Sequence, residues 1–498
     1  MLVRSSALGF AALAALSLVS VASCSSSGGA QPAADAGGAE AEAGSVGAPR
    51  TDPGAVHVVG STFRDGQGRQ LLFRGYNAKI QHLFDASFTD GRVPEETWPD
   101  FVESEAAEIE TLGWNVMRIP LSWSGLEPQP LAYADAFFQQ LDVLLGQAQA
   151  HHFYVLLDMH QDAYSKEIGE DGQPLWAIVP PPTQLLQGPY DDARRTTGQV
   201  LSAGYSFFDD ANATDGRGLQ EAYIAAVQKM AAHVLGNPAV LGYEAFNEPV
   251  VLDYHKLDAF HQAFADGVHA VDADAPVLFE PVSTRNETDD AVISASPWAN
   301  GPGCYAVHIY TGQFSLQGQW TATSMDPSIL APSMAHAELE RAAWGTPLFV
   351  TEFGCDLTQP QGPPWMSAEL DLQDQYLASS TAWEYQRPGG WCFHDDTGAP
   401  RPEAVHVMTR SFPRAVAGDL VKIERPAAGD MVVTYRPTAA TAGLPHEVSL
   451  SAQYITSPVV KCDGQVVTFT QLTGRATFVC PVSDQNEHTF EVQGTPVK

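Results

Sequence analysis

Residues 243–249 read YEAFNEP, a short apolar run that ends in the pair Asn247-Glu248. A buried strand that stops at an amide and a carboxylate delivers a polar pair to a rim. Residues 347–354 read PLFVTEFG, another apolar run, and it ends in Glu352. Outward from these two stretches, the chain from about residue 55 alternates short apolar runs with longer amphipathic ones, the pattern of repeated strand-helix units around a parallel sheet.

The runs expected as strands are LLFRGYN (71–77), NVMRIPLSW (115–123), FYVLLDMH (153–160), VLGYEAFNE (240–248), PVLFEPV (276–282), YAVHIY (305–310), PLFVTEF (347–353) and GWCFHDD (390–396). That number predicts an α/β chain closed into a (β/α)8 TIM barrel over residues 55–418. Helices are expected at 100–112, 134–150, 217–235, 256–271, 333–343 and 369–385. Phe137, Leu141, Leu144 and Leu145 fall at helical spacing and would cover the barrel's outside. An early hairpin, 57–75, has turn signals at Asp65-Gly66 and Gly68 and would cap the bottom of the barrel. From 419 to 498 short alternating segments replace the amphipathic stretches, which predicts a small all-β sandwich.

The third unit breaks the rhythm, because residues 164–216 separate its strand from its helix. This excursion carries Trp176, Tyr190, Tyr205, Phe207 and Phe208, and is expected to wall the catalytic face with aromatic side chains; the alternative is that these rings serve only to hold it down.

The chain of 498 residues has 26 basic and 59 acidic side chains, a formal charge of −33. Such a charge repels phosphate backbones and excludes nucleic acid as a partner; no obligate protein partner is evident. Arg4 followed by the apolar run Ala7 to Ala22 reads as an export signal, too short to span a membrane. The run ends VASC, which resembles a bacterial lipobox and would leave Cys24 as a lipidated N-terminus; an ordinary secretory signal cut nearby is the alternative. The expectation over residues 1–24 is therefore an exported lipoprotein of the cell envelope or extracellular space, associated with a membrane through its anchor. Residues 25–54 are small and polar, without an aromatic residue, and read as a disordered tether. Cys462 and Cys480 are expected to pair, whereas Cys304, Cys355 and Cys392 allow at most one bridge among them, unassigned.

Barrel enzymes carry their chemistry at the carboxyl ends of strands. There the runs supply Arg118, His160, Asp162, Asn247, Glu248, His308, Tyr310 and Glu352, with Trp391 or Phe393 and His394 near the last. Two carboxylates so placed suit hydrolysis of a glycosidic bond, one protonating the leaving oxygen while the other attacks or activates water. His160, Asp162 and His308 have a competing use as metal ligands, but no HExxH or close His pair at ligand spacing occurs, and His151-His152 sits at a helix end. No metal or cofactor is expected. The absence of a GxSxG elbow argues against acyl transfer.

The fold order together with NEP (247–249), HIY (308–310) and TEFG (351–354) resembles glycoside hydrolase family 5. Within it, DMHQDAYS (158–165), FRGYN (73–77), RIPLSW (118–123) followed by Glu127-Pro128, and PRAVAG (413–418) resemble endoglycoceramidases and related bacterial glycolipid glucosidases. The resemblance implies a retaining enzyme in which Glu248 is the acid/base and Glu352 the nucleophile. Asn247 would hold the sugar 2-hydroxyl, Arg118 would support Glu352, and His160, His308 and Tyr310, with Asp162, would frame the substrate. The family's strand-eight tryptophan corresponds to Trp391 or Phe393, according to register. The implied substrate is the glucose-ceramide linkage of a glycolipid; an endo-β-glucanase, a steryl glucosidase, or a non-catalytic glycan-binding surface lipoprotein are the rivals.

Overall fold

Eight parallel strands close into a barrel in the computed structural model: Arg74–Asn77, Val116–Ser122, Tyr154–His160, Val240–Glu244, Val277–Phe279, Gly303–Ile309, Leu348–Phe353 and Ser379–Ala382. The structure describes residues 47–497 apart from 89, 91, 93–97, 187–191, 289–300, 314–325, 386–388 and 483. The expected signal, Cys24 and most of the tether lie outside the described residues, as does Tyr190.

Seven strands fall on the expected runs. The eighth does not: it is Ser379–Ala382, hydrogen-bonded beside Leu348–Phe353 on one side and Arg74–Asn77 on the other. The helix expected over 369–385 is Gly362–Gln375 and ends before this strand. SSTA carries no alternation of apolar residues, so nothing in its pattern marks a strand. Two of its three buried hydroxyls are used instead, Ser379 Oγ accepting the Phe73 N–H at 3.2 Å and Thr381 Oγ1 donating to the Thr351 carbonyl at 2.6 Å. The run at 390–396 forms turns, and Phe393 is fully buried against Trp114 and Tyr76, with ring centroids 4.9 and 5.4 Å apart.

The barrel's lower interior holds Phe73, Val116, Leu156, Leu241, Leu278 and Phe349, all near the amino ends of their strands. Val56, Phe63 and Leu71 of the early hairpin close that layer from below. The hairpin strands His57–Val59, Thr62–Arg64 and Gln70–Leu71 then continue into a seven-stranded antiparallel sheet with Pro413–Val416, His446–Ser449, Arg475–Phe478 and Thr470–Leu472. This sheet therefore draws strands from both sides of residue 418. A second sheet, Asp419–Glu424, Met431–Arg436, His488–Pro496, Ile455–Cys462 and Gln465–Val467, shares with it an apolar core that includes Val433, Val448, Phe478 and Phe490. The Cys462–Cys480 disulfide ties the second sheet to the segment just after Arg475–Phe478. Cys304, Cys355 and Cys392 are free and buried.

Two expectations are corrected. Order begins before residue 54: Gly47 and Ala48 donate to the carbonyls of His269 and Val271, each at 3.1 Å, and Arg50 pairs with Asp272 at 2.9 Å while donating to the Val240 and Leu241 carbonyls. One arginine finding a buried carboxylate outweighs the composition of its neighbours. In the excursion, Trp176 packs edge-on against Trp123, and Phe207 and Phe208 pack among Tyr223, Phe246 and Phe260. These rings hold the excursion down rather than lining a wall. What it brings to the catalytic rim is polar: Asp171, within 4.8 Å of His160 and Asp162, and Arg195, paired with Asp162 and Glu170.

Candidate active site

Arg118, fully buried on the second barrel strand, organises the carboxyl end of the barrel. Its Nε donates to Glu244 at 2.6 Å, Nη1 to Glu352 Oε1 at 2.6 Å and to Asn77 Oδ1 at 2.9 Å, and Nη2 to Asn247 Oδ1 at 2.8 Å; Asp158 lies 3.0 Å from Nη2. The rigid fork of a guanidinium is what lets one side chain serve so many acceptors. Burial disfavours its charge, but Asp158, Glu244, Glu352 and Glu280 together hold its pKa above the ordinary arginine value.

Glu352 is fixed at both oxygens, since Oε2 accepts the Tyr310 hydroxyl at 2.8 Å. Glu248 faces it. Its backbone takes the left-handed conformation, φ 44°, and is pinned by its own N–H donating to Glu280 Oε2 at 3.2 Å and by Gln161 Nε2 donating to its carbonyl at 3.1 Å. Glu248 Oε1 accepts Asn286 Nδ2 at 2.8 Å and sits 2.8 Å from His308 Nδ1. His308 is fully buried, which drives its pKa down to about 4, so its ring is neutral near pH 7. Oxygens of Glu248 and Glu352 and a ring nitrogen of His308 all lie within 4.8 Å of one another.

The two carboxyls differ in surroundings. A fifth of the Glu248 side chain stays open to the cleft, yet the low-dielectric setting, and then the charge of Asp162, push its carboxyl up to about 7. Glu352 has a permanent cation and a hydroxyl donor against it instead. A carboxyl of raised proton affinity facing one tied to a guanidinium and a hydroxyl is an arrangement suited to glycoside hydrolysis.

Comparison with known proteins agrees. The description "Cellulase (glycosyl hydrolase family 5)" matches residues 90–388. This chain belongs to glycosyl hydrolase family 5. It is 27% identical to endoglycoceramidase I of Rhodococcus hoagii over 397 residues, 74% of this chain and 75% of that protein. It is 24% identical to an endoglycoceramidase of Hydra vulgaris over 399 residues, 71% and 72% of the two chains. Among solved structures, endo-glycoceramidase II from Rhodococcus sp., a lactosyl-enzyme intermediate, superposes with a TM-score of 0.73 at 25% identity, covering 87% of this chain and all of that one.

In this family 5 hydrolase the remaining residues singled out from the sequence surround the carboxyl pair, with two exceptions. Asn247 is locked, its Oδ1 on Arg118 and its Nδ2 donating to the Gln161 carbonyl at 3.1 Å. His160 meets Asp158 at 2.6 Å and lies 3.6 Å from Asp162; burial opposes its charge, but Asp158 above all holds its pKa well above the usual imidazole value. Asp162 is bonded to Arg195. Trp391 leans on Tyr310, ring centroids 5.9 Å apart, and covers Gly354, where a Cβ would meet the indole at 3.3 Å. The exceptions are Phe393, in the core, and His394, whose Nε2 meets Glu108 at 3.0 Å on the outer helix Glu103–Leu112.

The strand-eight position is held by neither Trp391 nor Phe393. Trp383, directly after Ser379–Ala382, occupies it, stacked on His160 with 5.8 Å between centroids and 11° between planes. Lys79 lies 4.7 Å from the centres of both Trp383 and Trp98. Sequence reasoning also passed over Asp158, Glu244, Glu280, Asn77 and Asn286. The first three had a signal: each is a lone acid inside an otherwise apolar run.

His160, Asp162 and Asp171 also bring ligand atoms within 4.8 Å. Arg195 on Asp162 and Arg118 at the carboxyl pair already supply the positive charge a cation would bring.

Proposed function

We propose that this hydrolase is a retaining β-glycosidase that cleaves the glucosyl-ceramide linkage of glycosphingolipids, releasing intact oligosaccharide and ceramide. The observation that carries the mechanism is the approach of Glu248 and Glu352 to within 4.8 Å; retaining enzymes keep their carboxyls about 5 Å apart, whereas inverting ones leave a water's width more. Glu352 attacks the anomeric carbon as Glu248 gives its proton to the ceramide oxygen, so the C–O bond breaks and a glycosyl ester forms. Glu248, now a carboxylate, takes a proton from water, whose oxygen displaces Glu352. The neighbour solved as a lactosyl-enzyme intermediate supports the covalent step, and the endoglycoceramidase relatives support the substrate. Trp383 and Trp391 offer apolar faces to the sugar. Export and anchoring at Cys24 belong to the same reading and rest on the sequence alone.

The test is product analysis by mass spectrometry. Detergent-dispersed ganglioside should give whole oligosaccharide and free ceramide, a soluble cellulose derivative nothing, and replacing Cys24→Ala in the exported chain should move the activity from the membrane to the soluble fraction. Cello-oligosaccharides alone would keep the mechanism and overturn the substrate; stepwise release of single sugars from the ganglioside would overturn the endo reading.

A pH dependence follows from Glu248. Its protonated form is the active one, so kcat/KM on a lipid glycoside is full below its pKa and lost as the pH rises through about 7. With a nitrophenyl glycoside, whose leaving group needs little protonation, that alkaline fall should flatten. An alkaline limb equally steep for both substrates would remove Glu248 from the acid role.

A further inference from the structure

Behind the carboxyl pair lies a group the mechanism has not used. Glu280 follows the fifth barrel strand, Val277–Phe279, and is 2% exposed. Its Oε2 accepts the Glu248 backbone N–H at 3.2 Å and stands 3.4 Å from His308 Nε2. Neither Glu280 Oε1 nor His308 Nε2 has a hydrogen-bond partner among the described residues.

The two faces of His308 differ. Nδ1 looks at acceptors, Glu248 Oε1 at 2.8 Å and Glu352 Oε2 at 3.5 Å, so a neutral ring places its single N–H there. Nε2 is then a buried lone pair in need of a donor, and the group beside it is Glu280. The charges around Glu280 point the same way. It faces Glu244, Glu248, Asp158 and Arg118, besides His308. Arg118 sits at 2.6 Å from Glu244 and Glu352 and 3.0 Å from Asp158, but at 3.6 Å from Glu280. Arg118, even with His160 on Asp158, leaves the four carboxyls short of positive charge, and the carboxyl farthest from Arg118 is the one that keeps its proton.

We propose that Glu280 is a neutral carboxylic acid whose O–H caps His308 Nε2, fixing the Nδ1–H tautomer that supplies Glu248 Oε1 with a donor and leaves the catalytic proton on Glu248 Oε2. Burial, and then the charge of Glu244, do push the Glu280 carboxyl well above the usual range. Asn286 and His308 thereby hold Oε1 in the same way whether Glu248 is acid or carboxylate, and no proton passes through the imidazole. Glu280 is a positioning residue, and its role rests on the reading of Glu248 as acid/base.

The distinguishing variant is Glu280→Gln, because an amide, like the acid, can donate to Nε2; since the single oxygen Oε2 makes both contacts, an amide that turns its N–H to Nε2 gives up the Glu248 N–H. The expected result on a lipid glycoside is a kcat well above that of Glu280→Met, with the alkaline limb in place. Glu280→Met cannot donate, and should lower kcat by roughly ten- to a hundredfold with KM little changed. A Glu280→Gln enzyme as impaired as Glu280→Met would mean that the carboxylate is what matters, and would overturn the proposal. Should either variant fail to fold, nitrogen NMR of histidine-labelled wild type decides: His308 carries its proton on Nδ1 if the proposal holds and on Nε2 if it fails. Glu248→Gln run alongside separates the two readings, since undiminished hydrolysis of lipid glycoside in that variant would strike the acid/base role itself.

Discussion

Glu352→Gln should leave a folded protein with kcat lower by at least about 10⁴-fold, the scale of losing the nucleophile in a covalent mechanism. The amide is the same size, and its oxygen can still accept the Arg118 Nη1 that lies 2.6 Å from Oε1. Tyr310, which donates to Oε2 at 2.8 Å, can turn its hydroxyl to accept from the amide instead. Packing is therefore kept while the attacking electron pair is lost. The roles of the two carboxyls are separated by azide. With Glu352 cut back to glycine, azide enters from the face the nucleophile has vacated and gives an inverted glycosyl azide. With Glu248 cut back to alanine, the glycosyl-enzyme still forms from an activated substrate and azide then gives the retained product. The opposite pair of stereochemistries would exchange the assignments, and a loss of less than about tenfold for Glu352→Gln would remove it from the chemistry.

The barrel and the carboxyl pair were legible because both depend on strong local signals. Seven strands announce themselves as apolar runs, and Asn247, Glu248 and Glu352 sit where those runs stop. The eighth strand was not legible. Ser379–Ala382 is stabilised by backbone pairing to neighbours on both sides and by buried hydroxyls, none of which leaves an apolar pattern. The misplacement propagated, so that Trp383 went unseen and the platform was sought at Trp391 or Phe393. The hydrogen-bonded frame failed for another reason. Asp158, Glu244 and Glu280 matter through one guanidinium and one imidazole brought from other strands, and a single residue inside a run does not disclose which partner closure of the barrel will give it. The aromatics of 164–216 show the converse: their composition suggested a ligand surface, and tertiary packing consumed it.

Arg118→Met should be the most destabilising single change in the barrel, costing about 3–5 kcal/mol at neutral pH, because it leaves buried carboxylates without their cation. The shape of the side chain is roughly preserved, so the loss is electrostatic and its pH dependence can be signed. Without the guanidinium, Glu244, which burial already pushes up to about 7 against the pull of Arg118, binds its proton more tightly still in the folded state than in the unfolded chain. The folded variant then holds the extra proton, and its stability falls as the pH rises. The deficit relative to wild type should therefore be deepest near pH 8 and shrink toward about pH 5, as the pH approaches the carboxyl's unfolded range. Urea unfolding at the two pH values measures it; a deficit independent of pH would show that Arg118 acts through packing. Arg118→Lys should recover only part of the loss, since an ammonium is a point charge that cannot reach Glu244, Glu352 and Asn247 together as the guanidinium does at 2.6–2.8 Å. Its catalytic defect should exceed its stability defect, because holding Glu352 in line with the sugar needs the fork, whereas neutralising the cluster needs only the charge.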